Sequence, residues 1–258
     1  MLVQIAAACA RVGRDLAGVT LVAVSKTVPA ERLRAAVEAG LTVLAENRVQ
    51  EGEAKAPHVS GATWHLVGPL QSNKARRALE TFTLIQSVDS TDLARRLDRL
   101  AAEVRPDAPV PVLLQVNVDD DAAKAGFEPA ALTEAIDEVL ELPRLDVRGL
   151  MTIGRLTDGP EEARPTFRAL RELSERLRNG RPRLGPELSM GMSADFDVAI
   201  EEGATIVRVG RALFGERRHE HDGSERPHTH VAPHAVQARS RKPLLDSGGE
   251  ADPGAPPR

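Results

Sequence analysis

Short runs of β-branched and leucine side chains alternate with segments of helical periodicity along roughly the first 215 residues of the chain. Several runs, 110–118 above all, are apolar almost without interruption, which is typical of strands buried on both faces of a parallel sheet. The predicted strands cover 21–24, 41–45, 64–67, 84–88, 110–118, 147–153, 188–190 and 206–209.

Signals for helix ends lie between these strands. Pro29 precedes a predicted helix over 31–39 that Gly40 ends, which is the usual distribution of proline and glycine at helix termini. Ser90 predicts an N-cap for the next long helix. The apolar face of that helix consists of Leu93, Leu97, Leu100, Ala101 and Val104. The other predicted helices cover 129–142, about 161–178 with its proper start at Pro165, and 194–202.

Eight strands, each followed by a helical segment, predict an α/β fold, a single (β/α)₈ TIM barrel. A doubly wound open sheet is the alternative, but it usually carries a glycine-rich turn after its first strand, and 25–29 reads Ser-Lys-Thr-Val-Pro. The barrel is therefore the preferred fold. We assign residues 1–217 to the barrel and 218–258 to a disordered tail rich in histidine, proline and glycine.

The tail prediction rests on composition. Residues 219–258 contain very few large apolar side chains, so they cannot bury enough surface to offset the entropy of ordering. Its histidines are His219, His221, His228, His230 and His234. Paired histidines can bind transition metals, but a biased low-complexity segment is the preferred interpretation. No metal site is predicted.

Charge and residue counts exclude several classes of protein. The 258 residues include 34 basic and 38 acidic side chains, a net charge of −4, which argues against a nucleic-acid partner. The single cysteine, Cys9, excludes an internal disulfide framework and a cysteine-rich zinc module. The absence of tyrosine excludes any mechanism that needs a phenolic acid or base.

The N-terminal segment is apolar, yet it has neither the basic start of a secretory signal nor the length of a membrane span. Its apolar residues keep helical spacing and predict an amphipathic helix. They are Leu2, Ile5, Cys9, Val12 and Leu16. We therefore expect a cytoplasmic protein with no membrane partner.

Active sites of barrels lie at the C-terminal ends of the strands. Lys26 follows the first strand, where Val24 precedes it, so its amine is expected to point into the barrel mouth. Burial there would lower the pKa of the amine and make it a nucleophile for a carbonyl group. A lysine that extends from the strand end to solvent is the alternative.

Two further strand ends predict an anion site. The segment 189–193, Ser-Met-Gly-Met-Ser, joins the seventh strand to a helix, so backbone amides and Ser193 could bind a phosphate there. Gly210 after the eighth strand allows another close backbone approach. Each glycine alone could be a simple turn residue. Together with an amine at the first strand, they describe a site for a phosphorylated carbonyl compound.

Several segments resemble successive signatures of one family, in order and with fitting gaps from about Val19 to Arg217. They are 23–27 (AVSKT), 46–51 (ENRVQE), 64–74 (WHLVGPLQSNK), 148–151 (RGLM), 189–193 with Asp195, and 207–210 followed by Phe214-Gly215. The chain is thus similar to the YggS/PROSC family of pyridoxal phosphate homeostasis proteins. The resemblance implies a barrel of the alanine racemase N-terminal-domain type, without the second domain of that enzyme.

The same resemblance assigns roles to single residues. It implies that Lys26 forms an internal aldimine with pyridoxal 5′-phosphate (PLP) and that Arg208 faces the pyridine nitrogen. Asn47 would line the pocket. Ser193, Gly210 and the amides of the loop that contains Met192 would bind the phosphate.

An arginine at the pyridine nitrogen keeps that nitrogen unprotonated and weakens the electron sink that PLP enzymes use. Cys9 is badly placed to act as a second base, which leaves His65 as the only candidate. We therefore expect a PLP carrier with no catalytic residues, which passes the cofactor to apo PLP-dependent enzymes as a monomer or weak dimer. The alternatives are an amino-acid racemase that uses Lys26 and His65 and, more remotely, a Schiff-base aldolase without cofactor.

Two charged features outside this site are open to interpretation. Lys74 and Lys124 are candidates for a second, non-covalent PLP site. The acidic run 119–121 could suggest a metal site, but a solvated loop before Lys124 is the preferred interpretation.

Overall fold

The computed structural model describes residues 1–154 and 159–215. Eight parallel strands close into a barrel in which each strand pairs with the next and β8 pairs with β1. The strands are β1 Thr20–Val24, β2 Val43–Glu46, β3 Thr63–Leu66, β4 Leu84–Val88, β5 Val110–Gln115, β6 Leu145–Met151, β7 Glu187–Ser189 and β8 Ile206–Val209. The predicted (β/α)₈ barrel is confirmed, and the open-sheet alternative is wrong.

The helices that surround the barrel follow the predicted order. They are α1 Leu2–Arg11, α2 Ala30–Glu38, α3 Val49–Lys55, α4 Ala75–Thr81, α5 Thr91–Val104, α6 Pro129–Glu141, α7 Arg164–Arg178, α8 Phe196–Glu201 and α9 Arg211–Phe214. The predicted cap of α5 is confirmed, since Ser90 Oγ accepts a hydrogen bond from the Leu93 amide at 3.3 Å. Pro165 lies in the first turn of α7, as predicted.

The N-terminal helix is shorter than its apolar spacing predicts. Helix α1 ends at Arg11, and Gly13 follows in the left-handed region at φ 66°, a conformation that favours glycine and breaks the helix. Ile5 and Cys9 are buried, but Val12 and Leu16 are 42% and 40% exposed. The prediction that one helical stripe runs to Leu16 is therefore wrong.

Strand β5 also ends earlier than predicted, at Gln115 instead of residue 118. The chain beyond it pairs with its own following loop, because the Asn117 amide donates to the Phe127 carbonyl at 2.9 Å and the Phe127 amide donates to the Gln115 carbonyl at 2.8 Å. Residues 116 and 117 thus pair with this loop, while the Val116 amide still donates to the Met151 carbonyl of β6 at 2.8 Å.

Apolar side chains form two layers. The larger lies between the strands and the helices, and a smaller cluster fills the barrel interior. The interior cluster consists of Val22, Ala45, Val67, Leu84, Leu113, Met151 and Ile206, with Val24, Val43 and Ile153 packed against it. Because strand side chains alternate between faces, position 26 belongs to the same face as Val22 and Val24, which is the face toward the barrel interior.

Among the described residues, no helix combines the length and apolar character that crossing a membrane requires. The same residues contain no group of three or more His, Cys, Asp or Glu side chains placed to bind a metal ion. The tail predicted for 218–258, with its histidines, lies outside the described residues, and the boundary at 217 stays a prediction.

Candidate functional site

Lys26 lies directly after β1, at the end of the barrel where all strands finish. The residue is exposed, so the expected burial of its amine is wrong. The following Thr27 has φ 65°, a left-handed conformation that is strained for a β-branched side chain. The turn that presents Lys26 therefore stores backbone strain, as loops at functional sites often do.

A buried polar cluster supports this turn from behind. Ser25 Oγ donates to Glu46 Oε1 at 2.7 Å, and Lys55 Nζ donates both to the same oxygen at 2.7 Å and to the Ser25 carbonyl at 2.9 Å. Glu46 has no exposed surface, and burial raises its pKa to about 7 against the opposing effect of Lys55. The sequence reasoning did not assign this cluster, although Glu46 follows an otherwise apolar strand.

The loop between β7 and α8 is held in one shape by its own contacts. Gly191 has φ 89°, and a Cβ added there would lie 2.5 Å from the Cβ of Ala199. Asp195 Oδ1 accepts the Met192 amide at 2.6 Å, so this N–H is already engaged within the loop. Ser193 is half-buried beside it. The loop that sequence reasoning selected for phosphate is therefore preorganised, but Met192 as a phosphate donor stays a prediction.

Gly210 brings the end of β8 against β1. A Cβ added at Gly210 would lie 3.1 Å from the Val24 carbonyl oxygen, closer than most real contacts of this kind. Gly210, one part of the predicted anion site, thus follows a strand that neighbours the one before Lys26, whereas the 189–193 loop follows β7, which pairs with β8. A side chain at this position would require the Val24 carbonyl to shift by a few tenths of an ångström.

Asn47 follows β2 at the same end of the barrel and is half-buried. Its backbone packs against the loop after β3, where a Cβ added at Gly68 would lie 2.2 Å from the Asn47 carbonyl oxygen. The structure therefore places Asn47 at the barrel mouth, at the end of the strand next to the one that carries Lys26.

Arg208 is a buried cation on β8. Its Nη1 donates to Ser189 Oγ at 2.7 Å and its Nη2 donates to the Thr152 carbonyl at 2.8 Å. Burial lowers the pKa of the guanidinium to about 10, partly offset by Asp195, so the group stays charged at neutral pH. A charged donor in this position disfavours protonation of any base placed against it.

His65 lies within β3 and does not follow a strand end as Lys26 does. It lines a cavity of about 500 Å³ that is formed mainly by residues at the strand beginnings, among them Thr20, Thr63 and Glu187. Burial and the charge of Arg148 lower the pKa of His65 to about 4, so the imidazole is neutral. The position does not support His65 as a second base that faces a substrate at the mouth.

The two other candidate lysines lie in the loops that follow β3 and β5. Lys74 precedes α4 in a short 3₁₀ turn, Ser72–Lys74. Lys124 Nζ lies 3.5 Å from carboxylate oxygens of Asp119 and Asp121. The Thr166 hydroxyl donates to Asp119 at 2.5 Å, which ties the acidic loop to α7. A second PLP site at these lysines stays a prediction.

Comparisons with known proteins agree with this architecture. The family model of the alanine racemase N-terminal domain matches residues 2–218. A pyridoxal phosphate homeostasis protein of Aquifex aeolicus is 44% identical over 221 residues, which cover 85% of this chain and 96% of the relative. The structure of PipY from Synechococcus elongatus PCC7942 with PLP bound has a TM-score of 0.73 at 42% identity, and the match covers 82% of this chain and all of that one.

A more distant likeness bears on the fold alone. An alanine racemase of Clostridium difficile 630 superposes with a TM-score of 0.65 at 14% identity, and the match covers 85% of this chain but 57% of the racemase. Fold and site thus define a barrel of the alanine racemase N-terminal-domain class. Within that class, the chain belongs to the family of pyridoxal phosphate homeostasis proteins.

Proposed function

We propose that this chain binds PLP as a Schiff base on Lys26 and serves intracellular PLP homeostasis without catalysing a reaction of its own. The aldehyde of PLP supplies the chemistry, because it condenses with a primary amine and releases water. Within the barrel, Ser193, Gly210 and the 189–193 loop would bind the phosphate, Asn47 would line the pocket and Arg208 would face the pyridine nitrogen. No reaction of a further substrate is part of the proposal.

The observation that carries the proposal is that an amine and a close backbone approach lie together at one end of the barrel. Lys26 ends β1, and Gly210 at the end of β8 packs against the Val24 carbonyl two residues before it. The donor set also fits PLP, since it combines an amine, a hydroxyl and a buried guanidinium. PipY, at 42% identity, has been solved with PLP bound.

Three features support a carrier over an enzyme. Arg208 stays cationic, which would keep the pyridine nitrogen unprotonated and weaken its capacity to accept electrons. The chain contains no tyrosine to act as a second base. His65, the remaining candidate for that role, lines the cavity at the strand beginnings. The racemase alternative therefore lacks a second base at the site.

The first experiment is the visible spectrum of the purified protein with added PLP, before and after borohydride. We expect an absorbance band that borohydride removes and that Lys26→Ala lacks. The matched control is Lys55→Arg, which removes the other amine beside this turn but keeps a cationic donor for Glu46 and Ser25. A band that survives in Lys26→Ala, or one that is lost equally in the control, would contradict the assignment of Lys26.

Transfer to an apo PLP-dependent enzyme separates a carrier from a catalyst. The loaded protein is expected to activate the apo-enzyme faster than the same PLP released from Lys26→Ala or added free. Exchange of the Cα proton of alanine with deuterated solvent, lost in His65→Gln, would instead support the racemase. The recipient enzymes, a cytoplasmic location and a monomer or weak dimer stay predictions.

A further inference from the structure

A continuous chain of buried polar side chains crosses the interior of the barrel. Arg208 Nη1 lies 2.7 Å from Ser189 Oγ, Ser189 Oγ lies 2.6 Å from Gln86 Oε1, and Gln86 Nε2 lies 3.0 Å from His65 Nδ1. Gln86 and Ser189 have no exposed surface, and Arg208 is 5% exposed. These residues come from β8, β7, β4 and β3, so the chain connects the Arg208 guanidinium to the cavity at the strand beginnings.

The direction of every hydrogen bond in this chain follows from Arg208. A guanidinium can only donate, so Ser189 Oγ must accept from it and direct its own hydroxyl proton elsewhere. That proton is donated to Gln86 Oε1, which leaves the amide N–H₂ of Gln86 to donate to His65 Nδ1. His65 therefore accepts at Nδ1 and carries its proton on Nε2.

A protonated His65 would conflict with this order. Imidazolium donates at both nitrogens, so its Nδ1–H would oppose the N–H₂ of Gln86. If the side-chain amide of Gln86 were flipped, its oxygen would accept from the protonated His65. Ser189 Oγ would then face two donors, Arg208 Nη1 and Gln86 Nε2, and its hydroxyl proton would lose Gln86 Oε1 as an acceptor. The chain thus adds a specific reason for a neutral imidazole to the burial and the charge of Arg148. Glu187 also lines the cavity beside His65.

Building on the proposed function, we propose that Ser189, Gln86 and His65 are positioning residues that hold the Arg208 guanidinium in the orientation that faces the pyridine nitrogen of PLP. A long arginine side chain has many rotamers, and a charged hydrogen bond to a buried partner restricts them. Ser189 restrains Nη1 and the Thr152 carbonyl restrains Nη2. Gln86 and His65 act through Ser189, because they fix the direction of its hydroxyl.

The first test uses the protein without cofactor. Long-range ¹H–¹⁵N spectra report the tautomer and pKa of each histidine ring, and His65→Gln identifies the His65 signals. In the wild type we expect the proton of His65 on Nε2. In Gln86→Glu the carboxylate accepts from Nδ1–H, so the tautomer should reverse and the pKa of His65 should rise. In Ser189→Ala the pKa of His65 should also rise, with a protonation constant at least ten times that of the wild type.

The second test measures PLP binding in the same variants. Ser189→Ala should weaken PLP binding about tenfold, because a charged donor loses its buried acceptor. The pH midpoint of the visible band should also move upward, since a less restrained cation repels a proton on the chromophore less effectively. Ser189→Thr keeps the hydroxyl and should restore most of both properties.

The matched control is Ser87→Ala. Ser87 is a fully buried serine next to Gln86 on β4, but its hydroxyl donates to the Gly68 carbonyl at 2.7 Å and has no bond to the chain. It should leave both the His65 signals and the pH midpoint unchanged. If Ser189→Ala and Gln86→Glu behave like Ser87→Ala in both tests, the positioning proposal is wrong. If the wild type itself shows no PLP band that depends on Lys26, the proposed function fails, whereas the spectra without cofactor still report on the polar chain.

Discussion

The neutral, half-buried His65 predicts a specific dependence of stability on pH. Its folded pKa of about 4 lies below the ordinary value of 6.5. Between these values the unfolded chain binds more protons at this position than the folded chain, so acid favours unfolding. The stability that His65 contributes is therefore complete above pH 6.5 and is lost as the pH falls through 4. His65→Gln removes the titrating group and keeps a neutral polar side chain.

The magnitude follows from the two pKa values. At pH 7.5 the imidazole is neutral in both the folded and the unfolded chain, so protonation of His65 removes almost no unfolding free energy. At pH 5 it is almost fully protonated in the unfolded chain and about one-tenth protonated in the folded barrel. The resulting loss of unfolding free energy is about 2 kcal/mol, and it approaches about 3 kcal/mol at lower pH.

Urea unfolding from pH 7.5 to pH 5 measures this effect as a difference between variants. With a urea slope of roughly 2 kcal/mol/M, the midpoint of the wild type should fall by about 1 M more than that of His65→Gln. The control is His58→Gln, because His58 is exposed in the turn after α3. If the midpoints of the wild type and His65→Gln stay parallel across this range, His65 is not held neutral by the fold.

Three further outcomes are expected. Glu46 has a folded pKa of about 7, above its ordinary value of 4.5, so the stability that it contributes is lost as the pH rises from 4.5 through 7. This pH dependence is opposite to that of His65. In urea titrations, Glu46→Gln should therefore become more stable relative to the wild type between pH 5 and pH 8. Gly191→Ala should lower the unfolding free energy by roughly 2 to 4 kcal/mol and weaken PLP binding, because the new Cβ would meet Ala199 in a left-handed backbone; unchanged thermal unfolding would contradict this. Thr27→Asn should raise the unfolding free energy by about 1 kcal/mol, since asparagine tolerates φ 65° better than threonine does, and a lower melting temperature would count against strain at this turn.

Much of the fold was accessible from local patterns. Strand β8 was predicted at its observed bounds, and the cap at Ser90 and the start of α7 near Pro165 were also correct. These features depend on neighbouring residues alone, so a linear pattern records them. The errors lie where the backbone departs from the apolar pattern. Residues 116–118 keep an apolar pattern but pair with the loop at Phe127, and the apolar spacing beyond Arg11 continues past a left-handed Gly13.

For the candidate site, too, the sequence indicated which residues to consider but not their surroundings. Position along the chain selected Lys26, Ser193 and Gly210 as candidates, because parallel strands finish at one end of a barrel, whereas the roles of Asn47 and Arg208 came from the family resemblance. All five assignments stay predictions. The expected burial of Lys26 is wrong, and the buried support of its turn by Glu46 and Lys55 was not predicted.

The amino-acid sequence by itself determined the order of strands and helices, the barrel class, the family and the lysine at the end of β1. Only the tertiary structure decided that His65 lines the cavity at the strand beginnings and that it is joined to Arg208 through Gln86 and Ser189. Gln86 and Ser189 are 103 positions apart in the sequence. Contacts across the interior depend on how eight strands are staggered when the barrel closes, and hydrophobic periodicity carries no information about that stagger.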